Sequence, residues 1–312
     1  MIGAMAIENR KSKIENLPGL FFGTLTGIAS LIIVGMVLIV LGNIVVHGWG
    51  RVNLEFLTHA PELGMTEGGI FPAIFGTFSL VVLMTLAVVP MGVATALYMH
   101  EYAPKHSRLV ALVRLAIQNL AGVPAIVFGL FGLGFFIEFI GRGVDLGLFG
   151  GQLNYGRPAI LWAALTMALL TLPTVVVASE EALRAIPQSY REAAYAMGAT
   201  RWQVIRRVVL PQAVGGILTG AILAVSRGAG EVAPVMFTGA AYYLPNLPKR
   251  LNEQFMELGY HVYVMTTQAP NVEETKPILY STVLVLLMLT FALNFTAIMI
   301  RARIRRKLRE GR

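Results

Sequence analysis

Long apolar runs, each bounded by polar or charged residues, dominate the hydrophobic pattern of this chain. A helix needs about 20 residues to cross about 30 Å of hydrocarbon. Six runs reach that length, at approximately 20–46, 70–99, 108–140, 158–179, 211–230 and 278–300. The pattern therefore predicts an all-α membrane protein with six transmembrane helices.

Two of these runs also contain pairs of glycines at a spacing that lets membrane helices approach each other closely. Gly23 and Gly27 lie in the first run, and Gly216 and Gly220 lie in the fifth. Both pairs are expected to lie at helix contacts, although such pairs are frequent in apolar sequence.

The composition agrees with a membrane protein and narrows the chemistry. Of the 312 residues, 56% are hydrophobic and 13% are charged, which is too apolar for an ordinary soluble domain. The chain has no cysteine, its histidines lack the spacing of metal ligands, and it contains no phosphate-binding loop of the type that hydrolyses ATP. We therefore expect no catalytic residue, metal site or cofactor in this chain, and it is not predicted to be an enzyme.

The net charge of +8 reflects membrane topology better than nucleic-acid binding. With a cytoplasmic N-terminus, the inner segments carry 18 Lys and Arg residues and the outer segments carry 6. The positive-inside rule then places both termini in the cytoplasm. The predicted organisation is a cytoplasmic segment 1–19, a permease domain 20–300 with an outer loop 231–277, and a basic cytoplasmic tail 301–312.

Between the fourth and fifth runs lies a polar stretch with clear helix signals. Ser189 with Glu192, and Thr200 with Gln203, have the spacing of two capping boxes, which predicts two short helices in succession. Gly198 stands between them, where a residue in the left-handed conformation ends a helix. The stretch is therefore predicted to form a helix-turn-helix projection on one face of the membrane.

This projection, residues 189–210, resembles the coupling motif of ATP-binding-cassette importer permeases: Glu-Ala-Ala, three residues, Gly, nine residues, an aliphatic residue, any residue, Leu-Pro. The matching residues are Glu192, Ala193, Ala194, Gly198, Leu210 and Pro211, with Val208 in place of the usual Ile. The resemblance implies the MetI-like fold of type I importers and coupling helices that dock into a cleft of a cytoplasmic ATPase. An amphipathic hairpin that binds no partner is the alternative.

One charged pair lies at the outer end of the fifth run. Arg227 is costly in hydrocarbon, so it should face a bundle interior or a wet cavity. Glu231 follows four residues later, on the same face if the helix continues, and is its expected counter-ion. An arginine fork suits two oxygens of an oxyanion such as phosphate, and a carboxylate can accept a hydrogen bond from a protonated phosphate oxygen. A purely structural ion pair is the alternative.

Three stretches are similar to the phosphate-specific permeases of the PstA type: Gly68–Thr77, Asn119–Gly129 and Ser226–Pro234. In that family the Arg and Glu at the positions of Arg227 and Glu231 are associated with phosphate movement, so the resemblance implies that role for both.

Two departures from the family pattern bear on the substrate. Ala125 and Val232 stand where Ser and Thr are expected, which leaves room for a related oxyanion.

The resemblance also implies an assembly in a bacterial or archaeal plasma membrane. The partners would be a PstC-type permease, two PstB-type ATPase subunits that carry ATP and Mg, and a PstS-type phosphate-binding protein outside. The chain is then the permease subunit of an ATP-driven phosphate importer. The alternatives are import of sulfate, molybdate or tungstate, an ATP-independent transporter, and a signalling scaffold.

Overall fold

Most of the described residues are helical. The residues that a computed structural model describes are 2–62, 67–104, 107–268 and 272–310. Strands β1 (Pro61–Glu62) and β2 (Glu67–Gly68) form a small antiparallel hairpin. The α-helices, in chain order, are α1 (Ile2–Gly48), α2 (Leu54–Thr58), α3 (Phe71–Leu97), α4 (Arg108–Leu120), α5 (Ala125–Phe131), α6 (Arg142–Leu148), α7 (Ile160–Arg184), α8 (Gln188–Ala196), α9 (Arg201–Val204), α10 (Leu210–Gly228), α11 (Ala233–Thr238), α12 (Leu258–Thr267) and α13 (Val272–Glu310).

Six helical runs of the described residues are long and apolar enough to cross a membrane, which confirms the predicted number. They are Phe21–Arg51, Phe71–Tyr102, Ala125–Leu148, Ile160–Arg184, Arg201–Gly228 and Thr275–Lys307. Some of these runs contain π-helical turns: Tyr98–Tyr102 extends α3, Gly132–Gly141 joins α5 to α6, and Ile205–Val209 joins α9 to α10.

The predicted third run, 108–140, is wrong in its bounds. Its first part forms the separate helix α4, and the membrane-spanning run begins only at Ala125. Pro124 stands at the N-cap of α5 with φ −58° and ψ 140°, an extended conformation that separates the two helices. Helix α4 is amphipathic: Leu112 is exposed, whereas Arg114 pairs with the largely buried Glu180 of α7.

The direction of each helix follows from contacts at the two ends of the bundle. Ile160, at the start of α7, donates its backbone N–H to the Glu253 carbonyl at 2.9 Å, on the side where α12 lies. Helix α7 then runs to Arg184, just before α8. We call the two sides the α12 end and the α8 end. Helix α3 runs in the same direction as α7, and α10 runs back from the α8 end to the α12 end.

The first described residues of α1 and the last described residues of α13 lie towards the α8 end. Helices α1 and α13 pack together, and Ser281 near the start of α13 donates to the carbonyl of Gly48 at the end of α1, at 2.7 Å. The far part of α13 returns to the start of α10, where an added Cβ on Gly215 would lie 3.7 Å from Nε of Arg305. Lys105 and Arg312, two of the charges behind the predicted orientation, lie outside the described residues.

Helix α7 occupies the centre, between α3 and α10, and small residues bring these helices together. An added Cβ on Gly216 would lie 2.3 Å from the Cβ of Ala182, and one on Gly220 would lie 2.7 Å from the Cβ of Ala178. The close approach predicted for this glycine pair is confirmed.

The glycines of α1 behave differently. An added Cβ on Gly23 or Gly27 would meet nothing within 4 Å in the described chain. Residues of α1 such as Leu31 and Ile39 are each 73% exposed. The close helix contact expected at Gly23 and Gly27 is therefore not made among the described residues, and most of the apolar surface of α1 is exposed.

Candidate functional site

The polar stretch after α7 forms the predicted helix-turn-helix at the α8 end. Helix α8 ends at Ala196, and Gly198 follows with φ +78°, the left-handed conformation that turns the chain. The capping box at the start of α9 is complete. Thr200 donates its backbone N–H to Oε1 of Gln203 at 2.8 Å, and Gln203 donates its own N–H to Oγ1 of Thr200 at 3.4 Å.

The other predicted capping box is wrong. Helix α8 begins at Gln188, directly after Pro187, and no side chain caps its first turn. Pro187 has φ −57° and ψ 140°, so it occupies the N-cap position itself. Ser189 therefore lies inside the first turn of α8 and does not accept a capping hydrogen bond.

The residues of the coupling motif divide between an outward and an inward face. Glu192, Ala193 and Gly198 are exposed, and an added Cβ on Gly198 would meet nothing within 4 Å. Half-buried Ala194 and Leu210 pack with Val208 against a buried cluster of α3, α7 and α10, and Pro211 lies in the first turn of α10. The outward residues form the surface that is open to a partner.

Sequence reasoning missed Arg191, the residue before Glu192. Its side chain is 5% exposed, and its guanidinium donates to Oε1 of Glu101 from Nη2 at 2.7 Å and from Nε at 3.2 Å. It also donates to the carbonyls of Leu183 and Ile186 at 3.1 and 2.8 Å. The spacing of α8 contained the signal, since Arg191 precedes the inward Ala194 by three residues and so shares its face.

Arg227 and Glu231 are brought together at the α12 end. Nε of Arg227 lies 3.5 Å from Oε1 of Glu231, and the two side chains are 41% and 27% exposed. The helix does not continue through the pair: α10 ends at Gly228, between the two residues. The chain turns there, and Gly230 donates its N–H to the Arg227 carbonyl at 3.4 Å. The ion pair therefore joins the last turn of α10 to the segment that follows it.

Gly228 lets α10 approach α3 closely beside this pair. An added Cβ on Gly228 would lie 2.5 Å from the sulfur of Met84, a fully buried residue of α3. Arg227 is thus carried by a helix end that packs tightly against the bundle, while its own side chain remains open to the surface of this chain.

Helix α12 packs against the residue that follows Glu231. An added Cβ on Gly259 would lie 2.9 Å from Cγ2 of Val232. Helix α12 is capped by Glu257, which is 2% exposed and accepts N–H hydrogen bonds from Gly259 and Tyr260 at 2.8 and 2.6 Å. Burial raises the pKa of Glu257 to about 7, and the two N–H donors oppose this shift. Sequence reasoning missed this buried carboxyl.

His261 lies one turn further along α12 and is also buried. Neither of its ring nitrogens has a hydrogen-bond partner among the described residues, and burial lowers its pKa to about 4. The described residues contain no cluster of three or more His, Cys, Asp or Glu side chains that could hold a metal ion.

Comparisons with known proteins agree on one family. The model of the binding-protein-dependent transport system inner membrane component matches residues 89–310. The probable ABC transporter permease protein YqgI of Bacillus subtilis is 32% identical over 74% of this chain and 71% of its own length. The phosphate transport system permease protein PstA of Haemophilus influenzae is 32% identical over 72% of this chain and 73% of its own length.

A solved structure extends the agreement to the fold. A chain of a bacterial alginate ABC transporter matches with a TM-score of 0.62 and 17% identity, over 89% of this chain and 94% of that chain. The predicted all-α, six-helix, MetI-like permease fold is confirmed. The chain belongs to the family of binding-protein-dependent transport system inner membrane components, the permease subunits of ATP-binding-cassette importers.

Proposed function

We propose that this chain is the permease subunit of an ATP-driven phosphate importer and forms half of its translocation pathway. Relatives that carry the name phosphate transport system permease protein PstA, from Haemophilus influenzae and from Mycobacterium tuberculosis, support this assignment. The match covers 60% of the length of the mycobacterial protein, so the substrate assignment also needs support from the chain's own residues.

One structural observation carries the proposal. The helical run Arg201–Gly228 begins directly after the turn at Gly198, contains Leu210 and Pro211 of the coupling motif, and carries Arg227 at its other end. Its 28 residues give a length of about 42 Å. A displacement applied to the hairpin at the α8 end therefore acts on the same helix that carries the proposed anion-binding residue.

Arg227 and Glu231 together suit a partly protonated oxyanion. The guanidinium of Arg227 offers parallel donors to two phosphate oxygens, and Glu231 accepts a hydrogen bond from a protonated oxygen of the same anion. Without the anion, Glu231 neutralises Arg227 at 3.5 Å. Sulfate carries no proton at neutral pH and cannot donate a hydrogen bond to Glu231, so phosphate is favoured over sulfate. The same argument applies to molybdate and tungstate.

The family needs ATPase subunits and a binding protein, and we assign the specific partners by the same relatives. They are a PstC-type permease, two PstB-type ATPase subunits that hold ATP and Mg, and a PstS-type binding protein that delivers phosphate. Glu192, Ala193 and Gly198, which are exposed, dock into the ATPase, whereas Ala194 packs inward and, with Leu210 and Pro211, fixes the hairpin to the start of α10. No ATP is hydrolysed by this chain.

In this assembly the ATPase subunits lie in the cytoplasm, and the docking surface gives the chain its orientation in the inner membrane of a bacterium or archaeon. The α8 end faces the cytoplasm, with the N-terminal segment 1–19 and the basic tail 301–312 on that side. The domain 20–300 spans the membrane, and the loop 231–277 faces outwards. Cytoplasmic termini agree with the excess of Lys and Arg in the inner segments.

The test is phosphate uptake by the assembled complex in proteoliposomes, with wild-type chain and with Arg227→Lys. Lysine keeps the charge but loses the fork, so we expect uptake to fall about 10- to 100-fold with membrane insertion and ATPase binding unchanged. Arg303→Ala, which removes an exposed cation of α13, is the control. Near-normal uptake by Arg227→Lys would refute the two-oxygen clamp.

Competition and ATP dependence separate the alternatives. Uptake that excess phosphate leaves unchanged would exclude phosphate as the substrate and favour another oxyanion. Transport without the ATPase subunits would favour an ATP-independent transporter. Replacement of Glu192 with full retention of uptake but loss of regulation would favour a signalling scaffold.

A further inference from the structure

Arg191 is a buried cation that joins three elements at the α8 end. It belongs to α8, and its Nη1 and Nη2 donate to carbonyls of Ile186 and Leu183, at and just beyond the end of α7. The same guanidinium makes a two-pronged contact with Glu101, whose side chain is 8% exposed. Glu101 lies in the π-helical turn that extends α3. One side chain therefore fixes α8 to the ends of two membrane helices.

At its other end, helix α3 contacts the residues that lead into α12. Gly76 of α3 leaves no room for a Cβ, which would lie 1.9 Å from the carbonyl oxygen of Met256. The next residue, Thr77, accepts the N–H of Leu258 with its Oγ1 at 2.9 Å. Thr77 and Glu101 are separated by about 36 Å of helix. The two ends of α3 are thus each held by a specific polar contact.

The segment held at the α12 end reaches the proposed anion site. Leu258 is the first residue of α12, and the next residue, Gly259, packs against Val232. Val232 directly follows Glu231. A continuous series of contacts therefore runs from α8 through Arg191, Glu101, α3 and α12 to Glu231, in addition to the direct helical run that ends with Arg227.

We propose that the Arg191–Glu101 pair is the link that carries movement of the coupling helix α8 into α3, and through α3 to the segment that holds Glu231. The inference rests on the proposed function, in which α8 receives movement from the ATPase. Both are positioning residues: both side chains are buried, whereas Glu192 and Ala193 form the outward surface of α8. A planar, permanently charged guanidinium suits this role because it binds the carboxylate and both carbonyls in fixed directions.

The first test separates transmission from folding and docking. Arg191→Ala, Arg191→Lys and Glu101→Gln are assembled with the ATPase and binding protein, and ATPase co-purification, ATP hydrolysis and phosphate uptake are measured. We expect assembly to persist and hydrolysis to stay within about twofold, while phosphate transported per ATP falls about tenfold in Arg191→Ala and Glu101→Gln and less in Arg191→Lys. Arg303→Ala is the matched control.

A double variant tests whether the two residues act as one unit. The combination of Arg191→Ala with Glu101→Gln should lower transport per ATP no further than either single change, because the link is already broken. Effects of the single changes that multiply in the double variant would overturn the proposal. So would transport and hydrolysis that fall in proportion, or loss of assembly in all variants including Arg191→Lys, since these results indicate a purely structural role.

The second test does not depend on the transported solute. Because the chain has no cysteine, spin labels at Ser189→Cys on α8 and Tyr98→Cys on the extension of α3 need no other substitution in this chain. The distance between the labels should be the same with and without ATP in the otherwise wild-type complex, and should change on ATP binding in Arg191→Ala. The same change in label distance on ATP binding in the wild-type complex and in Arg191→Ala would refute the link.

The two tests distinguish failure of the link from failure of the phosphate assignment. If the label distances behave as expected and the complex imports another anion, the phosphate assignment alone is wrong. If the complex imports phosphate and Arg191→Ala keeps the wild-type ratio of phosphate to ATP, the link alone is wrong.

Discussion

The buried carboxyl of Glu257 should make the stability of the outer segment depend on pH. Burial raises its pKa from 4.5 to about 7, and the side chain is 2% exposed, so solvent screens it little. In the unfolded chain the carboxyl has its usual pKa and ionises at lower pH. A raised folded-state pKa contributes stability that is complete below pH 4.5 and is lost as the pH rises through about 7.

The magnitude follows from the two pKa values. Between pH 4.5 and 7 the folded state keeps a proton that the unfolded state has lost, and each pH unit in this interval costs about 1.4 kcal/mol of stability. Raising the pH from 5.5 to 8 therefore removes about 2 kcal/mol from this source. A loss of that size lowers the Tm of a chain this long by several degrees.

Glu257→Gln removes the titration and leaves a side chain of the same shape. We expect the Tm of the purified protein in nanodiscs, measured by tryptophan fluorescence, to fall by several degrees more in wild type than in Glu257→Gln when the pH is raised from 5.5 to 8. Glu55→Gln, which changes an exposed carboxyl of α2 at the same end of the bundle, should keep the wild-type pH dependence. Equal pH dependence of wild type and Glu257→Gln would refute the reasoning.

Three further predictions concern the coupling hairpin and the helix contacts. Gly198→Asp should fold, because Asp tolerates the left-handed conformation and meets nothing within 4 Å, but should lose ATPase co-purification and uptake; Gly150→Asp, at an exposed glycine with φ +60° far from α8, should keep both. Retention of docking by Gly198→Asp would contradict the docking role. Gly220→Val should lower the free energy of unfolding by about 1–3 kcal/mol, and with it the Tm, because the added Cβ would lie 2.7 Å from the Cβ of Ala178. An unchanged Tm would show that α7 and α10 separate easily. Thr200→Ala should cost about 1 kcal/mol through the lost cap, and Thr200→Ser should restore the Tm.

The hydrophobic pattern was sufficient for the number of membrane helices because about 20 apolar residues in a helix have no other stable environment. Its failure at 108–140 has a local cause. A window that averages hydropathy does not register that Pro124 separates two helices, or that Arg114 pairs with Glu180 across the bundle. Amphipathic α4 was therefore merged with the run that follows it.

Three features of the candidate site whose geometry is local in sequence were predicted, whereas the equally local capping box of Ser189 and Glu192 was not formed because Pro187 takes the N-cap position. Gly198, the Thr200 capping box and the Arg227–Glu231 pair each depend on residues at most four positions apart, and all three are present. Arg191 and Glu257 were missed because their environments come from distant segments. Glu101 lies 90 residues before Arg191, and Thr77 lies 180 residues before Glu257. Helical spacing puts Arg191 on the inward face of α8, but it does not identify the distant carboxylate that Arg191 pairs with.

The Arg227–Glu231 pair lies at a joint between two parts of the fold. Arg227 is on α10, and the next residue, Gly228, packs closely against Met84 of α3. Glu231 lies beyond the end of α10, and the residue that follows it, Val232, packs against α12. We therefore expect rotation of α10 relative to the α12 segment to change the 3.5 Å separation between Nε of Arg227 and Oε1 of Glu231. In the proposed importer, a longer separation frees the guanidinium for the anion and a shorter one displaces it. In the proposed importer, the two routes from α8, one along α10 and one through α3, end on opposite partners of this pair, so we expect their relative movement to set the affinity for the anion.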